Sequence, residues 1–437
     1  MSFGAAVDLY YKKTRSGCPV HGTTLANDND VKTPDFGLNE NQLKKVLKQI
    51  ENNPKQMINP ELFTYTYRML NKGLSQAFDK INITDPNFIK VQKMRKSLAV
   101  FSAYKTAHQT ADLKKALQHE KTAEVAQMVN TRYNNDWLRT EYVHTVRSAR
   151  HANNFWQYQN DKDLYPYLEY TPSRSAEPRN EHKKLYGIVK PVDDAFWDTW
   201  LPPNDWGCKC GVKQVREPGA PKEVPEIKKP PAVMRHNPAK TGEIFSNKHP
   251  MVKRVTGNAK KQIYKELQIL KKKTPAILAY TGKNKAKLYI NVFASDAQDF
   301  NVNLTHAKIL TDNGFNIILL HYTDIQGLKN PELLFIDQKL IGDFVVERKT
   351  KNVEKYIKNA FSDKYRKGKQ LNKFNKSVIV IKIDKNEIIN AARKINGEFK
   401  SHSQSHKVIV IIDNKVAEVS KTMKYEDILS EMTKASK

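Results

Sequence analysis

Residues 341–350, IGDFVVERKT, place two acids and a lysine in a run otherwise suited to a protein core. Side chains alternate along a strand, so Asp343, Val345, Glu347 and Lys349 are expected on one face, with Phe344, Val346 and Arg348 on the other. Two carboxylates on one such face need a shared partner. A hard divalent cation is a natural one, since Mg²⁺ takes one or two carboxylates and keeps several waters. Asp343 and Glu347 are therefore the expected metal ligands. Lys349 beside the metal would orient an attacking water or stabilise charge on a phosphorane. Asp-x₃-Glu-x-Lys is the spacing that a metal-dependent phosphodiesterase needs. The competing expectation is an edge strand whose polar face meets water.

A second set of donors is soft. Cys208-Lys209-Cys210 can offer two thiolates from one loop, which leaves a zinc ion two ligands short. Cys18 and His21, in Cys-Pro-Val-His, could complete the set, as could His182; the alternative is a pair of reduced thiols near a turn. Nothing in the sequence supplies an orienting third group for a catalytic Cys208–His182 pair. His402 and His406 could serve a metal-free ribonuclease as acid and base, or sit in a solvated loop. No dinucleotide-binding or phosphate-loop glycine pattern is present.

The elements that must position these residues follow from length and texture. A chain of 437 residues predicts two or three domains. The net charge of +28 favours polyanion partners, nucleic acid above all. Three cysteines argue against a disulfide framework. No apolar run is long enough to span a membrane, and the start lacks the apolar stretch of a secretory signal.

Residues 1–37 read as a flexible arm, and 38–215 as an α-rich module ending in a loop-rich, aromatic and proline-dense segment. Residues 216–256 read as a Pro/Lys-rich linker and module tail, and 257–437 as an α/β domain with a mixed sheet. In the last part, strands are expected at Lys287–Phe293, Asn316–His321, Leu333–Ile336, Asp343–Lys349, Ser377–Ile383 and Lys407–Ile412. Helices are expected at 258–273, 305–313, 352–372 and 386–395.

The segments LRTEYVHTVRSAR (138–150), DDAFWDTWLPPNDWGCKC (193–210) and HNPAKTGEIFSNKHP (236–250) resemble the phage Mu F (MuF) head-morphogenesis family. That resemblance covers roughly 40–250 and implies a minor capsid protein that associates with the portal and the head of a virion. Residues 285–420 resemble the PD-(D/E)XK nuclease superfamily, whose core runs αβββαβ. Within it they are similar to toxin nucleases of contact-dependent inhibition, many of which cleave tRNA.

This second resemblance puts Ala307, Leu310 and Gly314 in the lead helix, and Asp343, Glu347 and Lys349 on the catalytic trio. It puts Glu332 where an upstream aspartate is commoner, and Gln370 or Lys369 at a helix position touching the site. The basic residues Arg348, Lys364, Arg366, Lys367 and Lys369 would then contact nucleic acid. Together the two resemblances imply a MuF polymorphic toxin: a head protein carrying a nuclease for tRNA or DNA into a host cytoplasm. It would be opposed by an immunity protein encoded nearby. The rival reading is a structural head protein whose last domain binds nucleic acid.

Overall fold

The computed structural model describes residues 7–8, 11, 31–78, 81–219, 222–345, 348–366, 369–374 and 376–437. They divide into two compact units. One comprises the residues up to Ile81 and Asn87–Leu267, the other Asn82–Pro86 and Gln268–Lys437. Among the described residues no helix is long and apolar enough to cross a membrane.

The first unit is built on helices Glu40–Asn52, Pro60–Phe78, Phe88–Ala116, Thr122–Asn130 and Arg139–Asn160, the last preceded by a π-helical turn at Thr131–Leu138. Their starts are set by local chemistry. Asn39 and Gln42 form a capping box, and Asn59 Oδ1 accepts from the amides of Glu61 and Leu62 ahead of Pro60. Leu62, Phe63, Tyr67, Leu70 and Leu74 give the Pro60 helix a buried face that packs on both the Phe88 and Arg139 helices. Gly73 permits the close approach, since a Cβ there would stand 3.2 Å from the Tyr142 ring.

Within this core lies a fully buried ion pair. Lys105 Nζ donates to Glu141 Oε2 at 2.6 Å, and Tyr11 donates its hydroxyl to Oε1 at 2.6 Å. Both carboxylate oxygens thus have a donor, which is what a buried charge requires.

The segment expected to be loop-rich contains a small antiparallel sheet, β1 (Tyr167–Thr171), β2 (Val189–Pro191) and β3 (Gly211–Val215), in the order β2-β1-β3. These strands are too short and too interrupted by proline for a period-2 pattern to stand out. The tail after the proline-rich stretch is packed, not loose: Val233, Met234, Ile244, Phe245 and Met251 are all buried.

The second unit carries an eight-stranded mixed sheet: β4 (Ile277–Thr281), β5 (Lys287–Ile290), β6 (Ile317–Leu319), β7 (Leu333–Phe335), β8 (Leu340–Val345), β9 (Ser377–Ile383), β10 (Ser405–Ile412) and β11 (Lys415–Ser420). Spatial order follows chain order from β4 to β11. The three parallel pairs, β5/β6, β8/β9 and β9/β10, are connected through helices Phe300–Asp312, Val353–Tyr365 and Ile388–Ser401. The other pairs are antiparallel. The β9 and β10 faces bury Ile379, Ile381, Val408 and Val410 against the last two of these helices.

Two expectations need correction. The motif strand begins at Leu340, three residues early, and ends at Val345; Val346 and Glu347 lie outside the described residues, and Lys349 is beyond the strand in an exposed bend. The long basic helix ends at Tyr365 rather than near 372, because Arg366 turns to extended backbone with φ −58° and ψ 154°.

Candidate functional site

β8 lies inside the sheet, and its two edges meet different partners. On one edge, β7 pairs only as far as Leu333 opposite Gly342. The next amide on that edge, from Phe344, instead donates to Glu332 Oε2 at 2.7 Å. Glu332 Oε1 accepts from Asn303 Nδ2, on the Phe300–Asp312 helix, at 3.1 Å. Asp343 belongs to the β8 face carrying Ile341 and Val345, which packs toward the Val353–Tyr365 helix. It is 0% exposed. Lys364 Nζ, from that helix, donates to Asp343 Oδ2 at 2.8 Å. Asp343 Oδ1 is buried, and a donor reaches this carboxylate besides Lys364 only when Glu332 is protonated and hydrogen-bonds to it.

The electrostatics follow from this crowding. Burial, reinforced by the charge of Asp343, pushes the Glu332 carboxyl up to about 10. Burial also raises Asp343, against the pull of Lys364. Burial alone would lower Lys364, but Asp343 and Glu332 outweigh it and leave the ammonium raised. Asp299 adds negative charge to all three. Two crowded carboxyls beside one lysine cannot both ionise freely: they share a proton or a further cation. A pocket lined by Phe300, Asn303, His321, Tyr322, Asn330 and Glu332 leads to the Glu332 side.

The sequence-predicted residues fall in different places. Asp343 and Glu332 come together. Gln370 supports the lead-in to β7, its Oε1 accepting the Asn330 amide at 3.1 Å. Lys364, expected to contact nucleic acid, is instead the cation at the carboxylates. Arg348 is held by Glu387 through two bonds of 2.7 Å, and Lys349 lies with it along a recess that also includes Thr350, Asp384 and Glu387. Arg366 and Lys369 are exposed. Glu347, Lys367, Cys18 and His21 lie outside the described residues.

Asn303 and Asp299 were missed, as was the role of Lys364. The signal for Lys364 was present: it continues the stripe Val353, Tyr356, Ile357, Ala360, Phe361 of its helix, and a lysine in an apolar stripe needs a counter-charge. Of the two histidines, His402 Nδ1 lies 3.3 Å from Glu398 and its ring packs on Phe361, while His406 belongs to β10.

In the first unit, Cys208 and Cys210 are buried and unbonded to each other, on the approach to β3. His182, in the short turn of helix Asn180–Lys183, places Nδ1 3.6 Å from each sulfur. This part of the chain matches a known family. The model described as Phage Mu protein F like protein matches residues 99–213, from the Phe88 helix through the small sheet and both thiols.

Residues 99–213 form a Phage Mu F-like domain.

The chain is 41% identical over 78 residues to the "Putative capsid assembly protein F" of Escherichia phage Mu, and 36% identical over 80 residues to the "Mu-like prophage FluMu F protein" of Haemophilus influenzae. Each match covers 18% of this chain and 18% of the relative, so the chain spans under a fifth of the length of these curated relatives. The matched domain is shorter than the 40–250 span of the resemblance read from sequence. No solved structure matches the chain.

Proposed function

We propose that the chain is a phage head-assembly protein whose second unit is a metal-dependent nuclease, centred on Asp343, Glu332 and Lys364. One observation carries this reading: two buried carboxyls, Asp343 and Glu332, crowd one lysine, and Asp343 Oδ1 has no donor apart from the proton it shares with Glu332. A divalent cation can take the place of that shared proton.

The donor set fits a hard divalent ion. Asp343 and Glu332 are oxygen donors, with the motif residue Glu347 as a third candidate. Bound there, Mg²⁺ would polarise a phosphodiester and make water a better nucleophile. Lys364 fixes Asp343 through Oδ2 and leaves Oδ1 for the cation. Asn303 and the Phe344 amide orient Glu332. Lys349, Arg366, Lys367 and Lys369 would meet phosphates, in keeping with the charge of the chain. The order helix Phe300–Asp312, β6, β7, β8, helix Val353–Tyr365, β9 supports a restriction-endonuclease-like αβββαβ core.

For the first unit, similarity to a protein named for capsid assembly supports a role at the phage head, with portal and capsid proteins as partners. The second unit would then travel in the virion and act in the host cytoplasm, with tRNA the first substrate to test and DNA the second. A cell making it would need a neutralising immunity protein.

The test is cleavage by the purified full chain, offered tRNA and plasmid DNA with Mg²⁺ supplied or omitted. Metal-dependent cutting should fall by about 10²-fold or more in Asp343→Asn and in Lys364→Met. Cutting unchanged in both variants would overturn the assignment of the centre. Binding without cutting would favour a structural head protein with a nucleic-acid-binding second unit.

A further inference from the structure

We propose that His182 Nδ1, Cys208 Sγ and Cys210 Sγ bind a structural zinc ion within the Mu F-like domain. The three ligand atoms lie within 4.8 Å of one another. The imidazole nitrogen is 3.6 Å from each sulfur. Tetrahedral zinc, with Zn–S near 2.3 Å and Zn–N near 2.0 Å, separates nitrogen from sulfur by about 3.5 Å. A hydrogen-bonded network explains that equality less well, because one imidazole lone pair accepts from one thiol at a time.

The backbone prepares this convergence. Cys208 and Cys210 flank Lys209 on the run into β3, and alternation along extended chain sends both thiols to one side. β3 is anchored along β1 from Gly211 to Val215. His182 comes from a separate turn, so the three ligands join two segments that are 26 residues apart.

The surroundings suit a closed site. His182, Cys208 and Cys210 are 8%, 4% and 3% exposed, as expected of a site that holds structure and does not turn over substrate. Arg147 Nη1 donates to the Cys208 carbonyl at 3.2 Å, and Arg179 Nη2 donates to the Trp206 carbonyl at 2.7 Å, which fixes the loop bearing the thiols. Three protein donors leave one coordination position for water or a further donor. Zinc here would pin the aromatic, proline-dense segment to the small sheet, adding to the packing of the buried Leu168, Tyr170, Leu185, Ile188 and Trp197.

The test begins with metal analysis of the full chain purified without chelator. About one zinc per chain is expected, and it should be lost in Cys208→Ser and in His182→Ala. Either variant could also fail to fold, so the wild-type chain is stripped and reloaded with Co²⁺. A thiolate-to-cobalt charge-transfer band with tetrahedral d–d absorption supports the site. An octahedral cobalt spectrum without that band would overturn it, as would zinc retained at full stoichiometry in a folded Cys208→Ser chain.

Discussion

Each unit holds a fully buried carboxylate against a lysine, and these two pairs are finished differently. In the first unit, Lys105 and Glu141 are both fully buried, and Tyr11 satisfies the second oxygen of the acid. In the second unit, Asp343 is equally buried, but its lysine is 20% exposed, and its second oxygen has no donor beyond the proton shared with the Glu332 carboxyl that crowds it. A closed pair is a staple, since every charge has its counterpart and nothing can be added. An open pair with surplus acid is less stable than it could be, and such a deficit is tolerated where an added cation or substrate completes it. The difference separates packing from chemistry better than burial or charge alone, which the two pairs share.

The largest expected effect tests that contrast directly. Glu141→Gln leaves Lys105 buried without a counter-charge and should cost about 3–5 kcal/mol. The measurement is urea unfolding followed by tryptophan fluorescence, which reports on the first unit because all five tryptophans precede residue 207. Asp343→Asn leaves Lys364 with Glu332 and Asp299 as counter-charges and relieves repulsion. It should leave the second unit unchanged or firmer by up to about 1 kcal/mol, read as hydrogen exchange of the β8 and β9 amides. Equal losses in both variants would remove the distinction.

A pH series sharpens the comparison. The ordinary value for Glu332 is 4.5, and the folded value is about 10. Between these the folded state holds the proton that the unfolded state has released. The stability contributed by this group is therefore fully present below about pH 4.5 and lost as pH climbs toward about 10. Glu332→Gln should flatten that decline in the exchange of the second unit. A slope identical to wild type would contradict the protonated state of Glu332. The smallest effect is expected at Gln370→Ala, which deprives the Asn330 amide of its acceptor and should cost about 1 kcal/mol, seen as faster exchange at Asn330.

Much of this architecture was legible in the chain. The β-branched runs at Ser377–Ile383 and Lys407–Ile412 announced buried central strands. The missed strands β4 and β11 sit at the edges of the sheet, where patterning is weak: Leu278 of β4 is 49% exposed. The turn before β11 still left a trace in Asp413-Asn414, with Asp413 at φ 54°. At the site, spacing within one strand suggested a charged face running on to Lys349, but the described strand ends at Val345. Asp343 finds its cation across a helix instead, at Lys364. Spacing along a chain describes neighbours on one element, whereas Asn303, Glu332, Asp343 and Lys364 come from a helix, a strand lead-in, a strand and a second helix. His182 met the two thiols in the same way, through folding.

The measurement that tests the central claim most directly is calorimetric titration of Mg²⁺ into the full chain, run for wild type and Asp343→Asn in two buffers of different ionisation heat. The open-pair account predicts one site in the wild type, proton release as Glu332 gives up its proton, tighter binding as pH rises, and no such site in Asp343→Asn. Equal heats in both chains, or no binding in either, would contradict it. The two acids would then simply share a proton, and Asp343–Lys364 would be as structural as Lys105–Glu141.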